Sequence, residues 1–260
     1  MTRTTPTERS STASAERVKR LWARVGASFN VSPEPGPDPD LERLLLQTAR
    51  LVPGDPRLYV VAVSWLAVHS TYVARKRLRV LARTLTPDER GALGLIVDEA
   101  IRLGARKDLR QATSDCEPVS PPRPLFDLYR SSPQLAGIAE RQASPISRGW
   151  GLWAPAPELK QDALRPPHWI LATNPSYLWR AVRQGDLRES VLQTLQRDVP
   201  GDWCGSESAL AKLCGVTRPA LRKALRALEL EGCRFEAPER GPRGSKQLSL
   251  RQLAHDLDLV

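Results

Sequence analysis

A mainly α-helical chain is what the sequence predicts: a helical bundle in front, an irregular Trp- and Pro-rich middle, and a second helical unit closed by a small β-hairpin. Three observations carry that expectation. Leucines recur at helix spacing over 41–104 and again over 187–228. Prolines crowd the stretch between, with Pro118, Pro121, Pro122 and Pro124 in one cluster and Pro145, Pro155, Pro157, Pro166 and Pro167 after it; each removes a backbone donor and biases its predecessor away from helix. After Gly232 the period changes, and 233–237 and 247–250 read as two short strands around a tip.

Composition narrows the class. With 260 residues, 41% hydrophobic and 26% charged, the chain has room for about two ordinary domains and is neither collagenous nor wholly disordered. The longest apolar runs, such as 58–68, fall short of the roughly 20 residues a bilayer span needs. A net charge of +10 points to acidic partners, nucleic acid or anionic membrane surfaces. The cations are mostly Arg, with seven Lys in the chain, which suits bidentate phosphate and base contacts and equally fits the coding bias of a GC-rich genome. Residues 1–15 lack an apolar stretch and read as a solvated tail rather than a secretory signal, with a superficial likeness to a mitochondrial transit peptide. Cys116, Cys204, Cys214 and Cys233 form no C-x-x-C pair and lie apart from His69, His168 and His255, so reduced core thiols in a cytoplasmic protein are expected.

Taken in order, 16–110 is expected to be the helical domain. A short basic helix over 16–29, with Val18, Leu21, Trp22 and Val25 on one side, is an appendage before the Pro-rich linker 32–40. Leu44, Leu45, Thr48 and Leu51 mark the next helix, and after the turn at Pro53-Gly54-Asp55-Pro56 another runs over 58–73. The last helix has its start written out, with Thr86 to cap, Pro87 in the first turn and Glu89 completing a capping box; Gly104 stops it. Residues 111–184 are expected to be loop-rich, yet Trp150, Trp153, Trp169 and Trp179 argue for ordered packing. Asn174-Pro175 reads as the cap and first residue of a helix through about Val182.

The region 185–250 is the most informative, followed by a tail over 251–260. Leu187, Val191, Leu192 and Leu195 line one amphipathic helix. Ser206 caps a second, Gly215 permits a left-handed turn, and Thr217 caps a third with Pro219 in its first turn. Leu210, Leu213, Val216, Leu221, Leu225 and Leu228 form the expected core. The third helix then presents Arg218, Arg222, Lys223 and Arg226, and no acidic residue occurs between Thr217 and Ala227. Segregated charge of this kind favours a phosphate and groove surface over an ordinary solvated face, which mixes signs. The tip holds Arg240, Arg243 and Lys246, able to follow a phosphate backbone or simply to be solvated.

The stretch Ser206-Glu207-Ser208-Ala209-Leu210-Ala211-Lys212-Leu213-Cys214-Gly215-Val216-Thr217-Arg218-Pro219-Ala220-Leu221-Arg222-Lys223-Ala224-Leu225, with Leu228-Glu229-Leu230-Glu231-Gly232 after it, resembles the winged helix-turn-helix of GntR-type regulators. That resemblance implies a C-terminal winged helix binding double-stranded DNA through Thr217, Arg218, Pro219, Arg222 and Lys223, with Arg240 and Arg243 in the wing. It covers about a quarter of the chain. It also departs from the family, whose winged helix is N-terminal and whose wing carries Gly-x-Gly where this chain has Arg240-Gly241-Pro242-Arg243-Gly244. Its ligand-sensing domain is not implied.

A second basic run, Arg75, Lys76, Arg77, Arg79 and Arg83, sits in the bundle, held by Leu78, Leu81 and Leu85. It reads either as a solvated face or as an extra phosphate contact or acidic-partner dock. No phosphate-binding Gly loop, zinc-type His-Glu helix or nucleophile elbow appears, so neither catalysis nor a cofactor is expected. His69, beside Trp65 and Tyr72, reads as a packing histidine. Three functions follow from these features. The first is a bacterial transcription regulator, a repressor in type, whose front part dimerises or holds a protein partner. The second is an antitoxin-like or defence-associated protein that represses its own operon and binds a partner. The third is a replication or RNA scaffold.

Overall fold

The computed structural model describes residues 6–199, 204–233 and 247–249. It is mainly helical. Helix α1 (Pro6–Arg24) starts inside the stretch expected to be a solvated tail, and its later turns are no appendage. Val18, Trp22 and Val25 are buried, and the Trp22 indole N–H donates to Thr48 Oγ1 at 2.8 Å. A buried indole needs such a partner, and the hydroxyl of α2 (Leu41–Leu51) supplies it.

Helices α3 (Pro56–His69), α4 (Arg75–Ala82) and α5 (Pro87–Arg102) complete the bundle. Asp40 and Asp55 cap α2 and α3, and Thr86 with Glu89 forms the reciprocal capping box read from the sequence. The helix expected over 58–73 ends at His69, where a 3₁₀ turn (Ser70–Tyr72) takes over. The chain turns there because the Ala74 backbone N–H is claimed by Glu42 Oε1 at 2.8 Å, which a continuing helix would forbid.

The middle is more regular than its prolines suggest. Helices α6 (Pro133–Gln142), α7 (Pro145–Gly149) and α8 (Pro167–Thr173) each begin on a proline, where the missing N–H would have been unpaired anyway. Strands β1 (Arg123–Pro124) and β2 (Leu152–Trp153) pair in parallel, Arg123 opposite Leu152. Leu125, Phe126, Leu152, Ala154, Ile170 and Tyr177 enter the same apolar cluster as the bundle, so the core does not stop near residue 110. The indole of Trp150 lies across α5 at Gly94, a site with no room for a Cβ. Asn174 ends α8 rather than capping the start of the next helix. Helix α9 (Tyr177–Arg183) follows Ser176 instead, while the buried Asn174 amide donates to the carbonyls of Arg24 at 2.9 Å and Ile170 at 3.1 Å. One tertiary partner, Arg24, and one carbonyl of α8 take the side chain that a cap would have used.

A second, smaller apolar cluster is made by α10 (Leu187–Arg197), α11 (Glu207–Leu213) and α12 (Arg218–Leu230). Val191, Leu210, Cys214, Leu221, Leu225 and Leu228 form it; Leu213, expected in it, is 41% exposed, and Val216 is only partly buried. Burial raises the Cys214 thiol to about 12, as suits a core thiol. Strand β4 (Gln247–Ser249) pairs antiparallel with β3 (Cys204–Ser206), Cys204 opposite Ser249. Its expected partner, 233–237, lies outside the described residues apart from Cys233, which is not in a strand.

The two clusters meet across a polar seam. Glu42, fully buried, accepts from Arg180 at 2.7 and 3.1 Å and from Arg77 at 2.7 Å. Arg77 also binds Asp40 through two nitrogens at 2.7 Å each and Asp198 at 2.7 and 2.9 Å. Arg180 reaches Gln193 on α10 at 2.7 Å and the Tyr72 carbonyl at 2.8 Å. Burial alone would raise the Glu42 carboxyl, but Arg180 and Arg77 more than offset it and hold it below its ordinary value.

Among the described residues no helix is long and apolar enough to cross a membrane. His69 sits buried at 5.2 Å from the Trp65 ring and 6.0 Å from that of Tyr72. Burial lowers it from 6.5 to about 4, against a partly opposing hydrogen bond to the Arg165 backbone. The unfolded chain therefore takes up a proton at this site as pH falls below 6.5 while the folded chain does not, so stability is lost in that window. Between pH 6.5 and 5 this site is expected to remove about 2 kcal/mol, and chemical denaturation of His69→Phe beside the parent should show a shallower loss.

Candidate nucleic-acid interface

The helix pair α11–α12 is built by local chemistry at each end. Ser206 Oγ accepts the Ala209 N–H at 3.2 Å and Thr217 Oγ1 accepts that of Ala220 at 3.4 Å. Between them Gly215 adopts φ +64°, and a Cβ there would lie 2.5 Å from Val80 Cγ2. The turn needs glycine for its left-handed backbone and for its close approach to α4. Pro219 occupies the first turn of α12.

Helix α12 is strongly two-faced. Leu221, Ala224, Leu225 and Leu228 are buried against α10 and α11, whereas Arg218, Pro219, Arg222, Lys223 and Arg226 are exposed. The bundle does not cover this cationic face, although α4 touches the turn beside it. At the far end Glu231 is turned back toward the body, bonded by Arg183 Nε at 2.8 Å and by Arg188. Glu231, just past the helix, is thus engaged by internal cations, Glu229 stays exposed near the far end, and the basic leading half faces solvent.

The acid-free stretch between Thr217 and Ala227 does not give an acid-free face. Arg222 and Arg218 do not stand unopposed, because Glu207, at the start of α11, accepts from Arg222 Nε at 2.6 Å and lies 3.8 Å from Arg218 Nη2. Lys223 and Arg226 have no carboxylate within 4 Å among the described residues. Glu207 escaped the sequence reading because helix periodicity relates residues of one helix, and this contact joins two. Arg240, Arg243 and Lys246 lie outside the described residues.

The second basic run does not form a free patch. Arg77, 1% exposed, belongs to the seam and cannot reach a partner. Arg75 is 3.3 Å from Asp108 and donates to the Gln184 carbonyl at 2.8 Å. Arg79 and Arg83 share Asp115 at 2.6 and 3.0 Å, and the Arg79 hydrogen bond leads in drawing that carboxyl down to about 2. Lys76 is half-buried, its backbone N–H donating to Ser190 Oγ at 3.2 Å. The run is free of acid in sequence, but carboxylates from distant segments converge on it.

No protein-family model, curated protein or solved structure matches this chain. The interface therefore rests on its own geometry.

Proposed function

We propose that this chain is a sequence-selective DNA-binding protein that acts in transcription regulation, with α12 as the element that lies in the major groove. One observation carries the reading: Arg218, Arg222, Lys223 and Arg226 are all exposed on a helix whose opposite face is buried leucine and alanine and whose terminal Glu231 is tied to Arg183 and Arg188. Such a helix offers guanidinium groups for guanine edges and for phosphates. Thr217 and Pro219, at its leading end, suit close approach to the backbone. The front part of the chain, joined to α12 through the seam, is left to pair with a second copy or with a partner protein.

Gel-shift titration of the full chain against DNA from its own upstream region, with unrelated DNA of equal length as reference, tests this. Salt-sensitive binding that prefers one sequence is expected. Arg222→Ala combined with Lys223→Ala should weaken the preferred site by about 10- to 100-fold and unrelated DNA by less, because a bidentate base contact is worth about 1–3 kcal/mol of discrimination. Equal weakening on every sequence would count against α12 as the reading element.

A further inference from the structure

We infer that Glu207 is a positioning residue for Arg222, holding its guanidinium end-on toward a guanine while discouraging attachment to phosphates; the inference rests on the DNA-binding reading above. The geometry is specific. Glu207 Oε2 takes the inner nitrogen, Nε, at 2.6 Å, and among the described residues no protein acceptor bonds the two terminal nitrogens of Arg222. The carboxylate comes from the first residue of α11, whose backbone is fixed by the Ser206 cap, so the buttress is anchored on a different helix from the arginine it holds.

Two consequences follow from elementary electrostatics. An arginine gripped at Nε has lost much of its rotamer freedom, yet its terminal N–H groups remain paired and parallel, the fork that fits guanine O6 and N7. The same carboxylate places a negative charge beside Arg218 and Arg222. To sit on a phosphate, Arg222 must leave that charge or bring it near the phosphate, and both weaken binding that is indifferent to sequence. Glu207 thus trades general attraction for selectivity, a repulsive element acting against the wrong partner.

The test uses the full chain and two variants, Glu207→Gln and Glu207→Ala, with folding checked by thermal melting. A preferred duplex is selected from a randomised pool with the parent protein. Each guanine in it is then replaced by 7-deazaguanine, and affinities are measured across a salt series. The parent should lose about tenfold at one guanine. Glu207→Ala should lose that sensitivity, bind unrelated DNA several-fold more tightly, and show a salt slope steeper by about one phosphate contact. Glu207→Gln, which can still accept from Nε, should keep the guanine preference while gaining affinity for unrelated DNA. Unchanged guanine sensitivity and selectivity in Glu207→Ala would overturn the positioning role and leave the DNA-binding reading standing. Absence of selective binding by the folded parent would overturn both.

Discussion

Glu42→Gln is expected to lower the unfolding free energy by about 3–5 kcal/mol, the range for breaking a buried ion pair while leaving its partners in place. The substitution nearly preserves volume but leaves Arg77 and Arg180, 1% and 0% exposed, with one carboxylate fewer between them. Gln also has one acceptor oxygen where Glu42 uses two, on Arg180 at 2.7 and 3.1 Å, on Arg77 at 2.7 Å and on the Ala74 N–H at 2.8 Å. Its amide group would then point donors at a guanidinium. Urea denaturation should register the loss. Arg83→Ala provides the contrast, since its pairing with Asp115 is at the surface, 56% exposed on the arginine side, and should change stability by less than about 1 kcal/mol. Similar effects from the two substitutions would contradict the central place given to the seam.

Gly185→Ala should be nearly as severe, costing about 3 kcal/mol or more in the same measurement. Gly185 joins α9 to α10 at φ +64°, directly after Gln184 at φ +49°. The left-handed backbone already disfavours a side chain by about 1 kcal/mol. A Cβ at this position would in addition run into the Val73 carbonyl oxygen, which is backbone and has no rotamer to give way. The strand of chain at Val73 leads straight into α4, and Arg75 is bound to the Gln184 carbonyl at 2.8 Å. Relieving the clash therefore moves α4 away from α10 and disturbs the seam from its other side. Gly149→Ala, whose Cβ meets nothing within 4 Å and whose φ is ordinary, should stay within about 0.5 kcal/mol.

Features governed by neighbours in the chain were legible beforehand. The Thr86–Glu89 capping box, the Ser206 and Thr217 caps, the left-handed turn at Gly215 and the extent of α10 all depend on residues within one turn of each other. The leucine face of α12 and its cationic opposite followed from helical spacing alone. The proline-rich middle misled because proline has two meanings: it ends helices, and it also starts them, as at α6, α7 and α8.

What local pattern could not supply was the destination of each charge. Arg77 and Arg79 are two residues apart in one basic run, yet the first is enclosed with Asp40, Glu42 and Asp198 while the second shares a surface aspartate with Arg83. Asn174 left its expected cap for the Arg24 and Ile170 carbonyls, and Glu207 crossed from α11 to Arg222. Helices, caps and apolar faces are written in short-range sterics and periodicity, so this chain carries them openly. Ion pairing acts through space between segments far apart in the chain, 121 residues in the case of Arg77 and Asp198, and it is set only when the packing of α4 on α10 has brought them together.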